Sequence, residues 1–262
     1  MTCCGEPVMR RAQRSIIYTS AFVAVLSLCA VAWGLGGELL VVDRFGPPTD
    51  PGGLPHGWTS LTFRKIPAKT RYTVIQEGDN YIVKAESHAS ASGLYKALDL
   101  DPKVYQILSW RWKVENILAK GDARRKEGDD YPARVYVAFQ YDARNATLWE
   151  RTSYGTYKLI YGEYPPKHVI NYIWDNRLPR GTAIDNAYTD RAKMIAVESR
   201  AENVGRWVLE ERNLYADYKR LFGAEPPRIA GIALMTDTDN TGESAVAYYD
   251  DIVLRSVESG DR

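Results

Sequence analysis

Strict alternation of apolar and polar side chains along two stretches constrains the fold of this chain most. The stretches VYQILSWRWKV, at 104–114, and ARVYVAFQY, at 133–141, both repeat with a period of two residues. Successive side chains of a β-strand point to opposite faces of a sheet, so each stretch predicts a strand with one buried and one solvated face. The predicted solvated faces carry Arg111, Lys113, Arg134, Tyr136 and Gln140.

The rest of the chain also favours short strands. Roughly ten of them are predicted between residues 38 and 256, separated by turn-forming clusters, which is typical of an all-β sandwich or barrel. NLYADYKRLFG, at 213–223, predicts a helix with an asparagine N-cap and a terminal glycine. A second helix could form at 145–162, interrupted by Gly155. The sequence therefore predicts one β-sandwich domain, 38–256, with one or two short helices.

The first 32 residues resemble a signal peptide. A basic start at 10–14 precedes an apolar stretch at 16–28, and Ala-Val-Ala at 30–32 has the small-x-small form that signal peptidase accepts. We therefore expect an exported protein, periplasmic or extracellular, with removal of segment 1–32. The alternative is an uncleaved anchor, which would provide the chain's membrane contact. All 3 cysteines lie in this segment, so the mature chain would form no disulfide.

Charge and motifs exclude several functions. The chain has 34 basic and 33 acidic side chains, a balance that argues against nucleic acid as a partner. No nucleophile elbow, phosphate-binding loop, zinc-protease motif or dinucleotide fingerprint is present. Its 3 histidines are far apart in sequence. Strand glutamates at 198, 210 and 211 leave a two-carboxylate glycosidase open, since carboxylate separation is invisible in sequence.

Two groups of acidic residues precede strands. Glu127, Asp129 and Asp130 lie in a charged segment, 121–131, which we interpret as a solvated connection between strands. Near the C-terminus, Asp237 and Asp239 are spaced like part of a calcium loop but lack its continuation, so a polar turn is the preferred interpretation.

The final strand, AVAYYDDIVLRS at 245–256, contains two adjacent aspartates. It resembles the closing strand of galactose-binding-like jelly rolls, which include many carbohydrate-binding modules. The opening stretch, LLVVDRFG at 39–46 followed by HGWTSLTF, is similar to their first strand and its Gly-Trp. This resemblance implies a jelly-roll sandwich.

The same resemblance implies a structural calcium. Its ligands here would be Asp43, Asp250 and Asp251, although Gly46 stands where those modules usually have a glutamate. Alternation along the strand would turn one of the two adjacent aspartates toward the core and the other outward.

Over most of residues 38 to 255 the chain resembles an exported bacterial family, domain of unknown function 3047. The similarity lies in LSWRWKV, KEGDDYPARVYVAF, VINYIWDN, VGRWVLEERNLYADYKRLFG and IALMTDTDNTGESAVAYYDDI. It implies a fold but no catalytic residues.

These observations favour a non-catalytic exported sandwich that binds a glycan or a cell-envelope component. Aromatic rings stack on sugar faces, while guanidinium and amide groups bond hydroxyls. The predicted ligand-binding residues, on one solvated sheet face, are Arg111, Arg134, Tyr136, Gln140, Tyr172 and Trp174.

Two other functions remain open. A polysaccharide lyase or glycoside hydrolase on the same scaffold could use Tyr136 as the base, with Arg134 or Lys113 neutralising a substrate carboxylate. That chemistry requires a lowered Tyr or Lys pKa. The protein could instead be a scaffold in an envelope complex, because aromatic strands also form protein interfaces.

Overall fold

Two β-sheets packed face to face, with one α-helix, make up the residues that the computed structural model describes, 39–47, 53–142 and 165–257. The predicted all-β sandwich is confirmed, and it is of the jelly-roll type. Segments 1–32 and 145–162, predicted as a signal peptide and a helix, lie outside the described residues. The described residues all belong to one compact unit, Gly36–Arg262.

The regular elements follow one another in this order: β1 (Leu39–Asp43), β2 (Thr59–Leu61), β3 (Arg71–Glu77), β4 (Asn80–His88), β5 (Ala91–Leu100), β6 (Ile107–Val114), β7 (Ala133–Phe139), β8 (His168–Asp175), β9 (Ala183–Asn186), β10 (Thr189–Ser199), β11 (Val208–Asn213), α1 (Leu214–Phe222), β12 (Ile229–Asp237) and β13 (Ser244–Arg255). A short 3₁₀ turn, Lys126–Gly128, precedes β7.

Sheet topology brings strands that are distant in sequence side by side. The first sheet has the order β11-β6-β13-β4-β3, and β1 also pairs with β13. The second has the order β2-β5-β12-β7-β8-β10-β9. All pairs are antiparallel except β8 with β10, which is parallel. Strand β7 thus lies between β12 and β8, and the outer faces of these three strands form one surface.

Aromatic side chains fill the space between the sheets. Trp110 and Trp112 of β6 point inward from the first sheet, and Tyr172 and Trp174 of β8 meet them from the second. The Trp110 and Tyr172 ring centroids are 5.3 Å apart, and those of Trp112 and Trp174 are 5.8 Å apart. All four side chains are fully buried, so they contribute packing between the sheets rather than contact with solvent.

A second, smaller apolar cluster lies on the outer face of the second sheet. Ala123 and Tyr131, from the segment before β7, pack there against Ile173 and Met194. The Asn176 side chain holds this segment, accepting from the Leu118 N–H at 2.7 Å and donating to the Asp130 carbonyl at 3.2 Å. The interpretation of 121–131 as a solvated connection holds for residues 124–127, which are exposed, but it is wrong for Ala123 and for residues 128–131, which are buried.

Helix α1 matches the predicted helix. Its N-cap, Asn213, accepts a hydrogen bond from the Ala216 N–H at 2.8 Å, and Gly223 ends the helix in the left-handed conformation with φ of 63°. Within the described part of the chain, no helix has the length and hydrophobicity of a membrane span.

Candidate ligand-binding site

A cleft of about 910 Å³ opens on the outer face of the second sheet. Strands β7, β8 and β12 form its floor, and segments 62–66 and 186–192 contribute to its walls. The side chains Arg134, Tyr136, Asn171, Met235 and Asp237 project from the floor strands. The cleft therefore lies on the surface formed by the outer faces of the neighbouring strands β12, β7 and β8.

Alternation along β7 aims two predicted residues at this cleft. Val135 and Val137 point into the core, so Arg134 and Tyr136 point to the opposite face. Asn171 of β8 lies directly beside Tyr136 in the strand register, and the Tyr136 hydroxyl is 3.2 Å from the Met235 sulfur. The period-two pattern thus places Arg134 and Tyr136 on one face, but Arg134 is only 5 % exposed, so its predicted solvated position is wrong.

A buried ion pair forms the centre of the floor. The Arg134 Nη2 donates to Asp237 Oδ2, and both side chains are almost inaccessible. The guanidinium also lies over the rings of Tyr131 and Tyr136, 4.9 and 5.3 Å from their centroids. Burial raises the pKa of Asp237 well above its ordinary value; Arg134 opposes the rise, and the Asp130 carboxylate reinforces it.

Three carboxylates meet at one end of the cleft floor. Asp130, Asp237 and Asp239 each place an oxygen within 4.8 Å of the others. Asp130 accepts hydrogen bonds from the Thr241 N–H at 2.6 Å and the Asn240 N–H at 3.3 Å, which ties it to the turn after β12. Burial and Asp130 both raise the pKa of Asp239. This end of the floor is therefore a site of carboxylate repulsion.

The adjoining wall carries hydroxyl and amide groups. Both oxygens of Asp129 accept from Asn186 Nδ2 at 3.2 Å, and Asp129 Oδ1 also accepts from the Tyr131 hydroxyl at 2.9 Å. The Tyr188 hydroxyl accepts from Asn240 Nδ2 at 3.0 Å. Tyr188 is nevertheless 54 % exposed, so its ring is presented to solvent at the cleft.

Three buried polar atoms of the floor have no hydrogen-bond partner among the described residues. They are Arg134 Nε, Asn171 Oδ1 and Asp237 Oδ1, on side chains that are 5 %, 1 % and 1 % exposed as residues. An unsatisfied buried donor or acceptor costs about 1–3 kcal/mol, and more when charged. The floor therefore offers one donor and two acceptors that the fold itself leaves unused.

Two of the predicted ligand-binding residues lie on the other side of this sheet. Tyr172 and Trp174 are both 0 % exposed and pack in the core, where the Tyr172 hydroxyl donates to Asp217 and the Trp174 Nε1 to the Arg200 carbonyl. The predicted solvated position is wrong for both. Both faces of strand β8 are buried, so its sequence does not alternate regularly between apolar and polar residues. The sequence therefore does not show which face of β8 points into the core.

The remaining predicted residues are dispersed. Arg111 and Lys113 lie on the outer face of the first sheet, on the opposite side of the sandwich, where Lys113 pairs with Glu77 at 3.3 Å. Gln140 lies beyond the end of β7, donates to Asp99 at 2.9 Å and lines a separate cavity of about 510 Å³. A single face carrying all six residues is therefore not formed.

The aspartates predicted to bind calcium have basic partners. Asp43 accepts from Lys96 Nζ at 2.7 Å. Arg111 binds Asp250 through Nη2 at 2.6 Å and Asp251 through Nε at 2.7 Å. A bulge at Asp251, with φ of 48°, interrupts the alternation. The expectation of one inward and one outward carboxylate is therefore wrong, because both reach the same guanidinium.

Several cleft residues were not predicted to bind a ligand. Asn171 follows an apolar run, and Tyr188 belongs to a turn, so neither has a sequence signal of its own. Asp129, Asp130 and Asp237 are visible as acidic residues, but sequence alone does not show their contacts: Asp130 and Asp237 bind residues 111 and 103 positions away, and Asp129 binds Asn186, 57 positions away.

Fold and site together define a jelly-roll β-sandwich with a polar cleft on one sheet. The chain belongs to the family described as "Protein of unknown function (DUF3047)", whose model matches residues 56–253. No curated protein has a significant sequence match to the chain.

Solved structures with a similar fold are distant in sequence. The family 11 carbohydrate-binding module of the cellulosomal cellulase Lic26A-Cel5E of Clostridium thermocellum is 11 % identical, with a TM-score of 0.43, covering 86 % of this chain and 99 % of the module. The family 30 module of Cel9D-Cel44B from the same organism is 9 % identical, with a TM-score of 0.41 and the same coverage. The K1 adhesin domain of Lys-gingipain from Porphyromonas gingivalis W83 is 12 % identical, with a TM-score of 0.37, covering 84 % of this chain and 99 % of the domain.

Proposed function

We propose that this protein is an exported, non-catalytic sandwich that binds a glycan or another polyhydroxylated component of the cell envelope in the cleft. The observation that carries the proposal is the set of unused polar atoms on the floor. A sugar hydroxyl both donates and accepts, so hydroxyls can satisfy Arg134 Nε and also Asn171 Oδ1 and Asp237 Oδ1. A ligand of purely apolar surface would leave all three unsatisfied.

The size and lining of the cleft support this proposal. Its volume lies within the range of roughly 300–1,000 Å³ that small-molecule sites occupy. Phe63, Tyr136 and Tyr188 supply rings, of which Tyr188 is the most accessible. The amides of Asn171 and Asn186 also line the cleft. Rings that stack on sugar faces and amides that bond hydroxyls are complementary to a carbohydrate segment.

The state of Tyr136 supports binding over elimination chemistry. Burial raises the pKa of Tyr136 above its ordinary value, in spite of the opposing effect of Arg134. A tyrosine base needs the opposite change, because only the phenolate accepts a proton. Lys113, the other predicted basic participant, belongs to the first sheet and cannot join Tyr136 in the cleft.

Export is part of the same proposal. Segment 1–32 would direct the chain to the periplasm or the exterior, leaving 38–256 as the mature binding domain. A polysaccharide ligand would be available in those compartments. Fractionation of cells expressing the full chain, with N-terminal sequencing of the product, tests this expectation.

Affinity electrophoresis of the purified full chain against a panel of envelope polysaccharides tests the binding proposal. We expect retardation by at least one of them. Tyr188→Ala and Asn171→Ala should each weaken binding by about tenfold, the loss expected for a stacking contact or a buried hydrogen bond. Gln140→Ala is the matched control, because Gln140 lies in a different cavity, and it should bind like the wild type.

Two results would contradict the proposal. One is the absence of retardation or array binding with every polysaccharide. The other is a bound polysaccharide whose affinity is unchanged in both Tyr188→Ala and Asn171→Ala, which would place the binding surface elsewhere. Circular dichroism of each variant distinguishes lost binding from lost folding.

A further inference from the structure

We infer that Asp130, Asp237 and Asp239 form a binding site for a divalent cation, and that the ion is Ca²⁺. This site goes beyond glycan binding and does not depend on it. It is also separate from the aspartates of the first and last strands, which already have lysine and arginine partners.

The spacing of the three carboxylates fits a shared ion. One oxygen from each residue lies within 4.8 Å of the others. Calcium binds oxygen at about 2.3–2.6 Å, so two oxygens on opposite sides of one ion are separated by about 5 Å. The three oxygens therefore fit around a single coordination sphere without rearrangement of the backbone.

An unused acceptor in the cluster gives independent support. Arg134 occupies only Oδ2 of Asp237, while Oδ1 is buried without a hydrogen-bond donor among the described residues. Buried oxygen acceptors that no donor reaches are the groups that a cation satisfies.

Charge balance favours an added cation. Four carboxylates, those of Asp129, Asp130, Asp237 and Asp239, lie close together at this end of the floor, and Arg134 forms an ion pair with one of them, Asp237. Carboxylates this close repel one another strongly in a poorly solvated site. A divalent ion would offset that repulsion, and Asp237 Oδ1 is available to it while Oδ2 remains paired with Arg134.

Ligand chemistry selects calcium among the common metals. All three side-chain ligands are hard carboxylate oxygens, without the imidazole or thiolate groups that zinc favours. Asp130 and Asp237 come from segments far apart in sequence, and an irregular set of this kind suits the flexible geometry of Ca²⁺ with its 6–8 ligands. Mg²⁺ demands a nearly ideal octahedron at shorter distances.

The turn after β12 fixes the third ligand. Thr238 donates its N–H to the Ser90 carbonyl at 2.9 Å, and Gly242, with φ of 71°, closes the turn by donating to the Thr238 carbonyl at 2.9 Å. Asp130 accepts from two backbone N–H groups of the same turn. Hydrogen bonds thus hold Asp130 close to the turn that carries Asp239 before any ion binds. This reduces the conformational entropy that is lost on ion binding.

Isothermal titration calorimetry of the chelator-treated full chain with Ca²⁺, and separately with Mg²⁺, tests the site. We expect one Ca²⁺ per chain, bound at least about tenfold more tightly than Mg²⁺. Asp239→Asn should weaken Ca²⁺ binding at least about tenfold, since it removes one ligand charge without altering size. The melting temperature of the wild type should rise with Ca²⁺, and that of Asp239→Asn should respond less.

Asp251→Asn is the matched control. It removes one carboxylate from the final strand, where Asp251 contacts Arg111, and it should bind Ca²⁺ like the wild type. The inference is overturned if the wild type binds no Ca²⁺, if Asp239→Asn binds as tightly as the wild type, or if Asp251→Asn loses the ion. The titration contains no glycan, so a negative result for Ca²⁺ would not contradict the glycan proposal, which affinity electrophoresis tests separately.

Discussion

Replacement of Glu210 should change how the stability of the sandwich depends on pH. Glu210 of β11 is 4 % exposed and points inward, toward Glu198 of β10. Arg180 bridges them, with Nη1 3.0 Å from a Glu198 oxygen and Nη2 3.6 Å from a Glu210 oxygen. Burial first, and repulsion by Glu198 second, raise the pKa of Glu210 from 4.5 to about 7, although Arg180 acts in the opposite direction.

The size of the effect follows from those two values. The unfolded chain releases this proton near pH 4.5, while the folded chain keeps it until about pH 7. Protonated Glu210 therefore stabilises the fold fully below pH 4.5, and this contribution is lost as the pH rises through 7. At about 1.4 kcal/mol for each pH unit between the two values, the loss amounts to at most about 3.5 kcal/mol.

Chemical denaturation of the full chain between pH 5 and pH 8 measures this loss. Glu210→Gln cannot ionise, so its free energy of unfolding relative to wild type should improve by up to about 3 kcal/mol across that range. Glu211→Gln is the control, because Glu211 is exposed on the same strand and pairs only with Arg255 at the surface. Parallel pH profiles for Glu210→Gln and wild type would refute the reasoning.

Three further predictions concern the cleft and its supports. Asp237→Asn should lower the free energy of unfolding by about 3–5 kcal/mol, and by more than Arg134→Met, because it leaves a buried guanidinium that cannot lose its charge. When Arg134 is removed instead, Asp237 can take up a proton, since burial already raises its pKa. Denaturant titration of both variants gives the order, and the reverse order would contradict it. Asn213→Ala should cost about 1 kcal/mol in thermal denaturation through loss of the helix cap, with ligand binding unchanged. Gly121→Ala should cost about 1–3 kcal/mol, since its Cβ would lie 2.1 Å from Asn176 Nδ2; a variant as stable as wild type would show that the segment before β7 is not fixed there.

The fold was predictable where one face of a strand is solvated. Strands β6 and β7 alternate because each has one face in the core, and a shift of one residue would expose every core side chain. The short strand Ala183–Asn186 has no such pattern and was not predicted. The bulge at Asp251 was also invisible, because only the partner strands reveal the extra residue.

The cleft was predictable only in part. Arg134 and Tyr136 share one face, as the alternation of apolar and polar side chains along β7 predicts, and both line the cleft. The predicted positions of Tyr172 and Trp174 are wrong because the packed segment before β7 covers part of the outer face of β8, so side chains on both faces of that strand are buried. The sequence of the segment before β7 is charged and contains glycine, so it does not predict that the segment is buried. Its burial depends on tertiary contacts such as that of Asn176 with Leu118.

The ion pair of Arg134 with Asp237 is better explained by binding than by stability. A buried ion pair often stabilises a fold no more than well-packed apolar side chains of the same volume, because desolvation offsets the attraction. Here Nε of the arginine and Oδ1 of the aspartate also have no hydrogen-bond partner within 39–47, 53–142 and 165–257, which makes the pair more costly still. Both unused atoms belong to residues that line the same cleft. Sheet strands hold this donor and this acceptor in fixed positions, where they could bind a polar ligand or a cation. Leaving them unpaired does not help the sandwich to fold.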